Sequence, residues 1–180
     1  MLINTLIETS VVEVTLADKT IQSIDFPSSL FGSDDENEIL VLYFYPGDFT
    51  TICVTEVLAF HALQEEFAAA GASLVGCSIN TAHVHNAWKL RPKEQGGLGA
   101  LINHPMIGDH SGELARKFDV LIPKRNVATR GLFMINREGR VLFESRHDTK
   151  TARNVKEILE IVRDLRKIYR NDKRERTDSL

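Results

Sequence analysis

Cys53 is the residue in this sequence best placed to do chemistry. It stands three positions after Thr50 and seven after Pro46, in the stretch Tyr43-Phe44-Tyr45-Pro46-Gly47-Asp48-Phe49-Thr50-Thr51-Ile52-Cys53-Val54-Thr55-Glu56. An apolar run ends in a proline, a short polar loop follows, and the cysteine falls where a helix should begin. A thiol must ionise to act as a nucleophile, and the free amides and positive end of a helix favour the anion. The Thr50–Cys53 spacing puts hydroxyl and sulfur on one side of a turn. Pro46 fixes the entry to the loop and covers one side of the site. Such a thiolate can attack an electrophile, a peroxide oxygen being one example. The departing oxygen then gathers negative charge and needs donors or a cation.

The elements that must hold this stretch are legible in the hydrophobic pattern. Ile39 to Tyr45 is apolar throughout, as in a central strand covered on both faces. Val57, Phe60, Leu63, Gln64 and Phe67 keep helical spacing, which predicts one helix over Cys53–Ala70, stopped by Gly71. Ser73 to Ile79 reads as a second buried strand. Asn80 or Thr81 caps a helix through His83, Ala87, Trp88 and Leu90, with Pro92 after its end. Gln95-Gly96-Gly97-Leu98-Gly99 reads as a flexible loop. Pro105–Gly108 is a short strand, and Ser111 caps a short helix through Leu114 and Phe118. Gly131–Ile135 is a third apolar strand, turning at Asn136-Arg137-Glu138-Gly139 into a hairpin partner over Arg140–Glu144. Val155, Ile158, Leu159, Val162, Leu165 and Tyr169 mark a long amphipathic helix. Upstream, Val12, Val14 and Leu16 alternate as a half-buried strand, and Leu2 to Thr9 reads as an edge strand or arm. The acidic run Asp34, Asp35, Glu36 and Glu38 reads as a solvated loop tip.

This order, βαβ followed by ββα, implies parallel strands with a right-handed crossover and then an antiparallel pair. It is the order of an α/β thioredoxin-like fold with an N-terminal strand extension and an inserted strand and helix. One domain is expected over residues 1–169, with a polar, disordered tail over 170–180. The candidate site falls beyond the C-terminal end of the first central strand, where open α/β sheets place ligands.

Bulk composition narrows the classes. The 180 residues are 43% hydrophobic and 26% charged with a net charge of -3, which gives no electrostatic case for nucleic acid or an acidic membrane. No basic leader or membrane-spanning run is seen, and a cytoplasmic protein is expected. The two cysteines, Cys53 and Cys77, form neither a Cys-x-x-Cys pair nor a disulfide framework. His83 and His85 would point about 200° apart on a helix, so joint metal ligation is not expected. Trp88 reads as core or interface.

Pro46-x-x-x-Thr50-x-x-Cys53 resembles the signature of the peroxiredoxins, the family of the alkyl hydroperoxide reductase peroxidase subunit and the thiol-specific antioxidants. His85-x-Ala87-Trp88, Gln95–Gly99 and Arg130–Ile135 resemble further blocks of that family in the same order, and Leu2-Ile3-Asn4-Thr5 resembles the start of the bacterial peroxidase subunit. The resemblance implies that Cys53 is the peroxidatic cysteine, Thr50 the hydroxyl that binds thiolate and peroxide, and Pro46 the shielding proline. It implies that Arg130 stabilises the thiolate and the transition state. It further implies a supporting salt bridge of Glu56 with Arg153. The activity implied is reduction of hydrogen peroxide and organic hydroperoxides by a thiol reductant, with no metal or organic cofactor. The implied assembly is a homodimer, or a ring of five dimers.

The sequence departs from the family pattern at two points. Val54 follows the cysteine where typical two-cysteine members have proline, so an amide hydrogen is present there. The tail from Arg170 to Arg176 carries no resolving cysteine, and Cys77 lies inside an apolar strand from which a disulfide is hard to reach. A one-cysteine cycle, with an external thiol reducing the sulfenic acid, is therefore expected. The alternative is a catalytically weak relative acting as a peroxide sensor or chaperone-like binding protein.

Overall fold

The computed structural model describes residues 1–32 and 38–177, with 171–177 as backbone alone. Its centre is β3 (Ile39–Phe44), every residue of which is buried. The strand's period of two sends Ile39, Val41 and Tyr43 to one apolar layer and Leu40, Leu42 and Phe44 to the other. Burying such side chains contributes roughly 1.5–3 kcal/mol each, and both faces contribute here. β3 is flanked by β4 (Ala72–Ser78), parallel to it, and by β8 (Arg130–Asn136), antiparallel. Adding β1 (Ser10–Thr15), β2 (Ile21–Phe26), β5 (Met106–Gly108) and β9 (Val141–His147) gives one seven-stranded sheet in the order β2-β1-β5-β4-β3-β8-β9.

The helices are α1 (Thr51–Ala62), α2 (Gln64–Ala69), α3 (Ala82–Leu90), α4 (Glu113–Lys117) and α5 (Val155–Thr177). Cys53, Val57 and Phe60 of α1, Phe67 of α2, Trp88 of α3 and Val155, Ile158 and Leu159 of α5 share the layer on the Tyr43 face. Leu114 and Ala115 of α4 join the opposite layer. Among the described residues no helix is long and apolar enough to cross a membrane.

Several local expectations are corrected. The helix expected over Cys53–Ala70 starts at Thr51 and breaks at Leu63, which leaves helical geometry at φ -107° and ψ 11°. No glycine or proline marks that break. β2 was hidden because Ile21 and Ile24 are three apart, a helical rather than a strand spacing. It lies at the sheet's edge, paired with β1. A small ribbon, β6 (Leu121–Ile122) with β7 (Val127–Ala128), precedes β8. The segment before β1 is an arm that touches the sheet through a Leu6–Arg140 bridge. Thr81 caps α3 by accepting from Val84 N. Ser111 is a lesser contributor at α4 than expected, because the Asp109 carboxylate accepts from the Leu114 and Ala115 amides at 3.0 and 2.7 Å. Glu38 is no solvated tip: it is 8% exposed and pairs with Arg170 at 3.2 Å. Asp34, Asp35 and Glu36 lie outside the described residues. The tail expected to be disordered from residue 170 continues α5 to Thr177, in keeping with its strong helix formers.

The Gly96–Gly99 loop is also better held than its glycines suggest. Trp88 Nε1 donates to the Gly96 carbonyl at 3.0 Å, and Leu98 is fully buried. Behind it Lys89, fully buried, donates to the carbonyls of Thr15, Leu16 and His104. Burial, with the charge of Lys19 nearby, pulls the Lys89 ammonium down to about 7. The unfolded chain keeps this proton up to the ordinary lysine value of 10.5, so between those limits it binds more protons than the folded one and stability rises with pH. The stability of the wild type relative to Lys89→Met should therefore grow between about pH 7 and about pH 10 in denaturant titrations. A gap that stays flat over that range would contradict this account.

Candidate active site

Cys53 is the third residue of α1, fully buried beneath the C-terminal end of β3. Thr50 is the N-cap, but its side chain makes no capping bond. Its hydroxyl donates instead to the Gly47 carbonyl at 3.0 Å. No acidic residue occupies the first turn of α1. The positive end of the helix is thus left facing the cysteine. The amide of Val54 donates to the Thr50 carbonyl at 3.0 Å, so the hydrogen that a proline would lack closes the first helical bond.

Arg130 arrives from the first position of β8, on the same face of the sheet as Leu132. Its Nη2 lies 3.5 Å from Cys53 Sγ, its Nη1 2.8 Å from Glu56 Oε2 and its Nε 3.0 Å from the Thr149 carbonyl. The guanidinium is 1% exposed as a residue and spends its donors on sulfur, carboxylate and backbone. Glu56, one turn beyond Cys53, receives a second arginine. Arg153 Nε and Nη2 contact its two oxygens at 2.8 and 2.7 Å, and the Arg153 amide adds a bond at 2.9 Å. Arg153 also donates to the Gly131 carbonyl at 2.6 Å and lies over the rings of Tyr43 and Phe60. Burial alone would raise the Glu56 carboxyl. The hydrogen bonds and charge of Arg153, followed by the charge of Arg130, outweigh it and hold the carboxyl below its ordinary value.

The fold therefore gathers Cys53, Arg130, Glu56 and Arg153 into one bonded cluster, though Arg130 and Arg153 are remote in sequence. Pro46 and Thr50 stand in the adjoining loop, and among the described residues no hydrogen bond joins Thr50 to the sulfur. Cys77, in β4, belongs to the apolar layer on the other face of the sheet, and burial pushes its thiol well up.

Two polar groups behind the site escaped the sequence reading. Tyr43, stacked on Phe60 at 4.2 Å, sends its hydroxyl over Gly76 to His104 Nε2 at 2.6 Å. A Cβ at Gly76 would meet that hydroxyl at 2.8 Å. Burial, aided by the charge of Lys89, holds His104 near 3, so it is neutral. The second group is Asp48 with His85, both fully buried as side chains and 2.7 Å apart. Asp48 was visible inside the cysteine motif and His85 inside His-x-Ala-Trp, but neither names its partner from sequence.

Comparison with known proteins bears on this cluster directly. Residues 8–143 match the model of the AhpC/TSA family. The chain belongs to that family, the peroxiredoxins. It is 37% identical over 129 residues to a putative peroxiredoxin of Synechocystis, covering 72% of this chain and 64% of that protein. It is 38% identical over 125 residues to a putative peroxiredoxin of Bacillus subtilis, covering 69% of each. The chain spans only 51% of the length of another relative, Peroxiredoxin-4 of Dictyostelium discoideum, at 38% identity over 133 residues. Among solved structures, Plasmodium yoelii thioredoxin peroxidase I superposes with a TM-score of 0.81 at 31% identity, covering 93% of this chain and 92% of that one. The thioredoxin-like peroxiredoxin fold is thus the fold of this chain, and β8 with its arginine lies within the matched residues. Arg153 lies beyond residues 8–143, the stretch that matches the family model.

Proposed function

We propose that this peroxiredoxin is a thiol-dependent peroxidase acting on hydrogen peroxide and small organic hydroperoxides through Cys53. The observation that carries this reading is the Arg130 guanidinium 3.5 Å from a cysteine sulfur at the start of α1. The thiolate attacks one peroxide oxygen. The S–O bond forms as the O–O bond breaks, and the departing oxygen leaves as water or alcohol after taking a proton. Cys53 becomes a sulfenic acid. Arg130 is placed to stabilise charge on both sulfur and oxygen. Thr50 and Pro46 frame the approach, and Glu56 with Arg153 fixes the orientation of Arg130.

Recovery is proposed to follow a one-cysteine cycle. An external thiol condenses with the sulfenic acid, releasing water, and a second thiol frees Cys53 as the disulfide of the reductant departs. Supporting this, Cys77 packs on the far face of the sheet from Cys53. Assembly as homodimers or rings of dimers is part of the proposal. Phe49 and Leu90, 45% and 53% exposed, offer apolar surface for it.

Rapid mixing with hydrogen peroxide tests the reading. Wild type should be oxidised quickly and turn over with a thiol donor, and Cys53→Ser should lose at least about 10³-fold in rate. Mass analysis after one equivalent of peroxide should show one added oxygen on Cys53, trapped by a sulfenic-acid reagent. Equal rates for the two proteins would refute the peroxidase. A stoichiometric Cys53–Cys77 disulfide would refute the one-cysteine cycle. Oxidation of Cys53 without turnover by any thiol would identify a sensor instead.

A further inference from the structure

The loop from Pro46 to Thr50 holds a backbone conformation that its own residues do not favour. Phe49, immediately before Thr50, sits at φ 58°, in the left-handed region where a side chain is strained. Neither glycine nor asparagine is there to ease it, and strain of this kind persists only where surrounding contacts impose it. The Phe49 ring supplies some of them. It lies 6.1 Å from Trp88 and under the Arg91 guanidinium at 5.7 Å, yet the residue is 45% exposed.

The stronger hold is one residue earlier. Asp48 Oδ1 accepts the Tyr45 hydroxyl at 2.8 Å, and Asp48 Oδ2 lies 2.7 Å from His85 Nδ1. His85 Nε2 donates to the Ile107 carbonyl in β5 at 2.9 Å. The Asp48 amide donates to Asn80 Oδ1, just past the end of β4, at 3.0 Å, and Ser78 Oγ donates to the same oxygen at 3.0 Å. Asp48 is thereby tied to α3, β4 and β5 through both its carboxylate and its amide. Buried polar groups are costly unless all are satisfied, and a fully satisfied cluster is rigid. None of these bonds reaches the sulfur or Arg130.

We propose that the buried Asp48–His85 pair is a positioning device: it clamps Asp48 so that the strained Phe49 presents Thr50 and Pro46 to a peroxide at Cys53. The inference rests on the peroxidase reading above. When the clamp is loosened, Phe49 relaxes to negative φ and Thr50 and Pro46 withdraw. Cys53 stays in place, because α1, Arg130 and Glu56 hold it independently. His85 is thus a positioning residue and not a catalytic one.

The test compares wild type, His85→Gln, Phe49→Gly and the double variant by two readouts: kcat/KM for hydrogen peroxide and the rate of Cys53 alkylation by iodoacetamide. His85→Gln should lower kcat/KM by about tenfold to a hundredfold, the scale expected when a positioned group shifts by an ångström or so. Alkylation, which does not use the loop, should change by less than about threefold. In the Phe49→Gly background the His85→Gln loss should shrink below about threefold, because glycine adopts positive φ without strain. The same loss in both backgrounds, no loss in either, or alkylation falling in step with peroxide reduction would overturn the clamp. Circular dichroism checks folding, and Asp48→Asn and Tyr45→Phe replace His85→Gln in the same design if that variant does not fold. A wild type that fails to reduce peroxide refutes the peroxidase reading. An active wild type with an unaffected His85→Gln refutes the clamp alone.

Discussion

Arg130→Met should lower kcat/KM for hydrogen peroxide by about 10²- to 10³-fold, the usual effect of removing a preorganised donor from a developing charge. The fold should survive, because the carboxylate that Arg130 shares is not left alone. Glu56 keeps three bonds from Arg153, at 2.8, 2.7 and 2.9 Å. The stability lost with the bonds to Glu56 and the Thr149 carbonyl should be about 1–3 kcal/mol. Two separate effects are expected. The sulfur will lose the cationic donor 3.5 Å from it, which slows alkylation by iodoacetamide. The departing oxygen will also lose its cation, which slows peroxide reduction further. Arg130→Lys should recover only part of the activity, since a single ammonium cannot span sulfur, carboxylate and carbonyl as the planar fork does. Activity of Arg130→Met within about threefold of wild type would remove Arg130 from the mechanism.

The cysteine side of this site could be read from sequence because it is local. Pro46, Thr50 and Cys53 sit on one strand end, one loop and one helix start, which the apolar run, the proline and the helical spacing after Cys53 mark; their roles came from the family resemblance. Arg130 and Arg153 needed the family resemblance, because hydrophobic pattern cannot say which distant arginine returns to a given carboxylate. His85 shows the limit well. Its spacing from His83 gave no hint of Asp48, which sits 37 positions earlier across the gap between β3 and α3. Lys89, a charged residue inside α3, carries no sequence signal of burial. Only the carbonyls of Thr15, Leu16 and His104 converging on it explain why it is buried. The same reasoning covers the misses in the fold. The break at Leu63 and the edge strand β2 are set by packing against neighbours, with no glycine, proline or clear alternation to announce them. The run-on of α5 past Tyr169 went the other way: local propensity favoured helix where low hydrophobicity suggested disorder.

Glu56→Ala is the change expected to damage the fold most. It leaves two buried guanidinium groups facing the place of their shared counter-charge, with side chains 2% and 1% exposed for Arg130 and Arg153. Breaking a buried pair in this way costs about 3–5 kcal/mol, more than the pair adds over an apolar replacement of all its members. For a chain of this size that corresponds to a fall in Tm of roughly 10 °C. Arg153 has a bond to the Gly131 carbonyl and the faces of Tyr43 and Phe60 to fall back on. Arg130 has less, so it is the group expected to move away from Cys53, and activity should fall with stability. Glu56→Gln keeps an acceptor without the charge and should lie between. The pH dependence separates charge from shape. The folded carboxyl titrates below its ordinary value of 4.5, so as pH falls the unfolded chain takes up this proton first. The stabilisation by Glu56 is complete above about 4.5 and is lost as pH drops below that toward the folded value. Melting curves of wild type and Glu56→Gln should therefore converge in acid after standing apart at neutral pH. If the gap between them holds constant down to about pH 3, the carboxylate's charge is not what binds the two arginines together.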